Sequence, residues 1–183
     1  MSDTTTSPAA QGKILDGITV LDLSTFVTGG FSSAMLANLG AEVVKVEQPG
    51  YGDAIRHSGP PFVQGESPYY WTVNYGKRSV ELDLKNERAR EALYELVAEA
   101  DVFVQNYRPG TAERLDVDYE TVREHNEEII YLAISAFGQT GPWAERSGYD
   151  LLIRGMSGIM SVTGEKGRQP VKVGLPMTDL ITA

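Results

Sequence analysis

The chain has 183 residues, with 25 acidic against 16 basic side chains for a formal net charge of −9, no cysteine and two histidines. The missing thiols exclude a disulfide scaffold, a thiolate zinc site and a cysteine nucleophile, and the acidic balance argues against nucleic acid, whose phosphates it would repel. Its apolar runs fall far short of the ~20 residues a membrane span needs, so the composition reads as that of a soluble globular protein with no membrane partner.

Met1 to Gln11 has neither a basic nor an apolar signal-peptide region, and residues 1–16 are expected to form a disordered tail in a cytoplasmic protein. An acidic surface with only six lysines would suit a high-salt source, although solubility alone accounts for it. Ile18 to Leu23 is a short β-branched run ending in the polar, glycine-bearing stretch Ser24 to Gly30, the pattern of a buried strand feeding a loop. A helix over Phe31 to Leu39 should stop at Gly40, and Ala41 to Glu47 gives a second strand, closing a βαβ unit. Gln48 to Gly76 reads as a long excursion rich in Gly, Pro and Tyr, and is held as a candidate wall of a site. A strand over Ser79 to Leu84 precedes a helix from Glu87 to Ala100, capped by Asn86, with Ala89, Leu93, Leu96 and Val97 on its inner face. Asp101 to Gln105 is the next strand; short helices near Thr111 to Leu115 and from Tyr119 to Asn126 lead to a strand over Ile129 to Ser135. This alternation predicts an α/β fold: a doubly wound, mostly parallel Rossmann-like sheet with helices on both faces.

Several familiar chemistries find no footing. Gly29-Gly30-Phe31-Ser32 does not supply the glycine spacing of a dinucleotide turn, and Glu47 then reads as an ordinary strand-end carboxylate. No P-loop is present, and Ser157 lacks the second glycine of a nucleophile elbow. His57 and His125 have no ligand partner at helical spacing, and no metal site is expected. Carboxylates remain: Asp150, before the apolar run Leu151 to Ile153, reads equally as a helix cap, and Asp179 as a first-turn helix residue.

The phrases Gly17 to Leu23, Leu39 to Glu47, Lys77 to Lys85, Asp101 to Gly110 and Gly138 to Pro142 resemble, in the same order, the family III CoA-transferases, also called the CaiB/BaiF family. The resemblance implies transfer of coenzyme A from an acyl-CoA donor to a carboxylic acid acceptor through a catalytic aspartate, which falls on Asp179, with Asp150 in a polar role beside it. It also implies CoA contacts at Val27, Thr28, Lys85, Asn106, Tyr107, Arg108 and Arg114, with the cations on the phosphates and Tyr107 on adenine. CoA enters as a substrate; no covalently bound cofactor is implied. A sister branch, the α-methylacyl-CoA racemases, places a histidine where Tyr149 stands, and tyrosine is a poor base near neutrality. Family members are roughly twice this length and form interlocked homodimers, so residues 17–183 are expected to be a CoA-binding large-domain portion cut before a smaller domain; a non-catalytic CoA-binding module is the other reading.

Overall fold

The computed structural model describes residues 12–183. Strands β1 (Thr19–Asp22), β2 (Glu42–Glu47), β3 (Arg78–Glu81), β4 (Val102–Gln105) and β5 (Ile130–Ala133) form one sheet of order β3-β2-β1-β4-β5, parallel throughout. Leu21 at the centre pairs with Val44 on one side and Phe103 on the other.

Helices α1 (Thr28–Leu39), α2 (Pro68–Asn74), α3 (Glu87–Ala98), α4 (Thr111–Arg114), α5 (Tyr119–His125), α6 (Asp150–Met156) and α7 (Met177–Thr182) complete the fold. Successive strand residues face opposite sides, and the sheet buries both. Leu21, Leu23 and Phe103 meet Leu93 and Val97 of α3 and Val122 of α5, while Val20, Val43 and Val104 meet Ala37 of α1. The sheet is thus covered on both faces, as the alternation of apolar runs predicts.

The differences from expectation have local causes. Helix α1 begins three residues early, at Thr28, because its buried face is made of Gly29, Gly30, Ser32, Ser33, Ala34 and Ala37, small residues that give no hydrophobic stripe to read. A Cβ at Gly29 would fall 2.2 Å from the Ser24 Cβ, so only glycine allows that approach. The excursion from Gln48 is not continuous loop: Asp53 caps a 3-10 turn at Ala54–His57 by accepting from the Ile55 N–H, and Pro68 opens α2. Asn86 caps α3 as expected, accepting from the Arg88 N–H at 3.0 Å. Residues 1–11 of the expected tail lie outside the described residues. Leu15, placed in the same tail, instead packs beside the core under α1, its N–H bonded to the Leu39 carbonyl at 3.0 Å. No helix among the described residues is long and apolar enough to cross a membrane.

Candidate active site

All strands being parallel, their C-terminal ends open onto one rim, and β1 and β4 lie side by side while their connections diverge. Such a switch point is where an open α/β sheet forms its crevice. Two cavities flank it. The first, about 240 Å³, is lined by Ser24, Thr25, Glu47, Tyr51, Lys85 and Tyr107 among others. The second, about 180 Å³, includes Thr28, Asn106, Tyr149, Asp150, Thr178 and Asp179 in its walls. Their shared seam is a reciprocal pair of hydrogen bonds: Thr25 N–H donates to Asn106 Oδ1 at 2.8 Å, and Asn106 Nδ2 donates to the Thr25 carbonyl at 2.6 Å.

The loop at this seam is fixed from below by buried charge. Lys77 Nζ donates to Asp22 Oδ2, to the Gly30 carbonyl and to Asn74 Oδ1, each at 2.8 Å. Lys45 Nζ donates to the Ser24 carbonyl at 2.7 Å and lies 3.0 Å from Asp53 Oδ2. Asp53 Oδ1 in turn accepts from the Phe26 and Ile55 N–H groups at 3.0 Å, holding Phe26 at a positive φ of 59°. Burial works to raise the Asp22 carboxyl, but the neighbouring Lys45 and Lys77 charges and the bonds from Lys77 and Ser24 outweigh it and hold it below the usual range. Burial also pulls the Lys77 ammonium below its ordinary value, only partly offset by Asp22. Two carboxylates and two ammonium groups, matched and hydrogen-bonded, thus meet the several kcal/mol per ion that burial costs. The result is a rigid approach to α1, whose first intrahelical bond is Phe31 N–H to the Val27 carbonyl at 2.7 Å. The preceding amides of Thr28, Gly29 and Gly30 have no partner within the helix and sit at its positive end.

Asp179 lies in the first turn of α7, half-buried. Burial raises its carboxyl above the ordinary value; the Thr28 side chain counters, the Asp150 charge adds to the rise and Arg154 opposes it. Asp150 does not cap α6. It is the first residue inside that helix, Tyr149 holding the cap position, and its carboxylate accepts from Thr178 N–H at 2.9 Å and Thr178 Oγ1 at 2.7 Å while pairing with Arg154. The capping reading fails because a tertiary partner from the next helix takes the carboxylate.

The expected site residues divide between the cavities. Thr28, Asn106, Asp150 and Asp179 share the second; Lys85 and Tyr107 line the first. Burial, with Asp22 nearby, pushes the Tyr107 phenol up to about 12, so it stays a neutral ring. The Val27 side chain is buried against Ile55 and Val73, which leaves only its backbone for a ligand. Arg108 and Arg114 are exposed and line neither cavity, Arg114 donating to Thr111 Oγ1 at 2.8 Å. Glu47 is the residue that sequence reasoning undervalued. Its buried carboxylate accepts from Arg56 Nε and Nη2, Tyr70 OH, Ser79 Oγ and the Asp53 N–H, all at 2.7 to 2.9 Å. Burial would raise this carboxyl, but those donors hold it at about 2. The outlying histidines make local contacts: His125 stacks on Tyr94, and a His57 ring nitrogen lies 3.0 Å from the Tyr51 carbonyl. Among the described residues no group of three or more potential metal ligands gathers.

Comparison with known proteins bears on what this rim serves. The family model described as CoA-transferase family III matches residues 15–183. The chain belongs to CoA-transferase family III. Over 170 residues this family member is 45% identical to the mouse (Mus musculus) succinyl-CoA:glutarate CoA-transferase, covering 93% of this chain and 39% of that protein. It is 46% identical over 179 residues to the succinyl-CoA:mesaconate CoA-transferase of Haloarcula hispanica, covering 92% and 44% respectively. The crystal structure of a CaiB/BaiF family protein from Brucella suis superposes with a TM-score of 0.88 at 45% identity, over 93% of this chain and 46% of that one. This family III chain therefore spans less than half the length of these relatives.

Proposed function

We propose that this chain is the CoA-binding, nucleophile-bearing large-domain portion of a family III enzyme that moves coenzyme A from an acyl-CoA to a free carboxylic acid, with Asp179 as the nucleophile. The observation that carries this reading is the placing of Asp179 in one cavity with Thr28 and Asn106, across the Thr25–Asn106 seam from a cavity bearing Lys85 and Tyr107. A CoA thioester laid over that seam has its nucleotide end at Lys85 and Tyr107 and its acyl carbon at Asp179. Arg108 and Arg114 sit outside the cavities and would meet phosphate only at the rim.

In this reading the Asp179 carboxylate attacks the thioester carbon, the C–S bond breaks, and CoA leaves as thiolate from a mixed anhydride. The thiolate then attacks the Asp179 carbonyl, releasing the donor acid and leaving an aspartyl-CoA thioester. The acceptor carboxylate attacks that thioester and expels the thiolate again. Thiolate attack on the acceptor's acyl carbon then gives the new acyl-CoA and regenerates Asp179. No ATP is consumed, because one thioester replaces another, and covalent catalysis splits one hard transfer into easier steps. The amides at the start of α1 offer donors for oxyanions formed on Asp179 or the acyl group, a contribution worth ~3 kcal/mol per donor. Short dicarboxylic acids, as named for the mouse and Haloarcula relatives, are the first substrates to try.

The test is transfer from succinyl-CoA to glutarate or mesaconate by the full-length protein, with ping-pong kinetics. Rapid exchange of the α-hydrogen of a chiral 2-methylacyl-CoA in deuterated water, without any acid acceptor, would instead make the protein a racemase. A homodimer and a cytoplasmic location belong to the same proposal, to be read from sedimentation of the full-length protein and from fractionation of cells.

A further inference from the structure

The nucleophile proposed above sits on a helix of only six residues, so something outside α7 has to fix its direction. The segment before it, through Val173 and Leu175, has no strand or helix of its own. What meets that segment is Arg154, a residue of α6 that is 5% exposed. Its Nη1 donates to the Val173 carbonyl at 2.5 Å and the Leu175 carbonyl at 3.0 Å. Its Nη2 pairs with Asp150, one turn back on the same helix. Asp150 then takes both the amide and the hydroxyl of Thr178, the residue next to Asp179. The Arg154 Nε is buried with no hydrogen-bond partner among the described residues, so this guanidinium is retained for the bridge at the cost of an unpaired donor.

We propose that Arg154 is a positioning residue: it ties the Val173–Leu175 segment to Asp150, thereby sets the first turn of α7 and the direction of the Asp179 carboxylate, and cancels the Asp150 charge beside that carboxylate. The inference rests on the reading of Asp179 as nucleophile. A lysine could supply the charge but not the fork: Arg154 reaches the two carbonyls through Nη1 and the carboxylate through Nη2, two nitrogens held apart in one plane, where an ammonium has a single nitrogen. The charged and titratable groups around Asp179 are Asp150 and Arg154 of α6 and Tyr69 of α2, whose phenol burial and then the Asp179 and Asp150 charges push up. Asp150 and Arg154 act on Asp179 with opposite sign.

The experiment compares Arg154→Met, Arg154→Lys and Asp150→Asn in full-length protein, with kcat, KM for acyl-CoA and the pH profile of kcat/KM as readouts. Arg154→Met is expected to lower kcat about 100-fold, the scale of a misplaced reacting group, with KM within about twofold, and to move the acid limb to higher pH. Asp150→Asn should move that limb to lower pH, because an unpaired guanidinium then stands by Asp179. Arg154→Lys should leave the limb near its original place while kcat still falls about tenfold. A purely structural role would not move the limb in opposite directions. Unchanged kcat and an unmoved limb in Arg154→Met, in an enzyme that transfers CoA through Asp179, overturn the inference. Should Arg154→Met fail to fold, full kcat in Arg154→Lys overturns it alone. Failure of the unaltered protein to transfer CoA at all would sink the reading of Asp179, and this inference with it.

Discussion

Replacing Glu47 by glutamine keeps the side chain's volume and removes its charge, and the structure says what that should cost. A carboxyl held at about 2 instead of its ordinary 4.5 makes the folded state ~3 kcal/mol more stable at pH 7 than the same group without its donors. Because the folded value is depressed, this stabilisation is complete above the unfolded value and disappears as pH falls through the folded one. Roughly 1 kcal/mol of it should be gone by about pH 3.5, and nearly all well below pH 2. Glu47→Gln also leaves Arg56, among the described residues, with only Glu66, 3.6 Å away and half-exposed, as a charged partner. The measurement is urea unfolding of the protein and of Glu47→Gln at several pH values, followed by tryptophan fluorescence; Trp71 lies in α2, beside the Tyr70 that bonds Glu47. A gap of ~2–3 kcal/mol at pH 7 that narrows steadily below about pH 4.5 is the expected result. A gap under about 0.5 kcal/mol, or one that stays constant on acidification, would refute the argument that hydrogen-bonded charge at the end of β2 anchors the excursion from Gln48 to Gly76.

Asn106→Ala removes both bonds that clamp the Thr25 backbone and should cost ~1–3 kcal/mol of stability and lower kcat tenfold or more, read from thermal unfolding and steady-state assay. Lys85→Ala, by contrast, touches only the first cavity, so KM for acyl-CoA should rise about tenfold with kcat nearly unchanged, the signature of lost uniform binding. Equal falls in kcat and kcat/KM for Lys85→Ala would mean the cation acts at the reacting end.

The parallel sheet and both helix layers were readable because short apolar runs separated by capped helices leave few alternatives, whereas the strand order, which depends on long-range pairing, was not. Asn86 and Gly40 announced helix ends through local chemistry that needs no tertiary partner, and both occupy those positions. The start of α1 was not readable, since a helix face built of Gly, Ser and Ala buries itself by close approach and carries no hydrophobic period. Helix α2 was hidden for a different reason: Tyr70, Val73 and Asn74 do recur at helical spacing, but within a Gly- and Pro-rich stretch that masks it. Asp179 could be singled out only through the family resemblance, because a first-turn aspartate is common and nothing local marks it. Most of the side chains that meet Glu47 and Asp150 are distant in sequence: Arg56, Tyr70 and Ser79 lie 9, 23 and 32 positions from Glu47, and Thr178 lies 28 from Asp150, and no spacing rule joins Glu47 to Ser79 or Asp150 to Thr178.

The central claim is that Asp179 becomes covalently acylated. Full-length protein incubated with acyl-CoA and quenched with hydroxylamine or borohydride should show, by peptide mass spectrometry, a modification confined to the peptide bearing Asp179, and Asp179→Ala should keep its fold yet show neither label nor transfer. The raised Asp179 carboxyl adds a condition: labelling should fall away on acidification at a pH above that of an ordinary carboxylate. Turnover that survives in Asp179→Ala, or a label on any other peptide, would contradict the account.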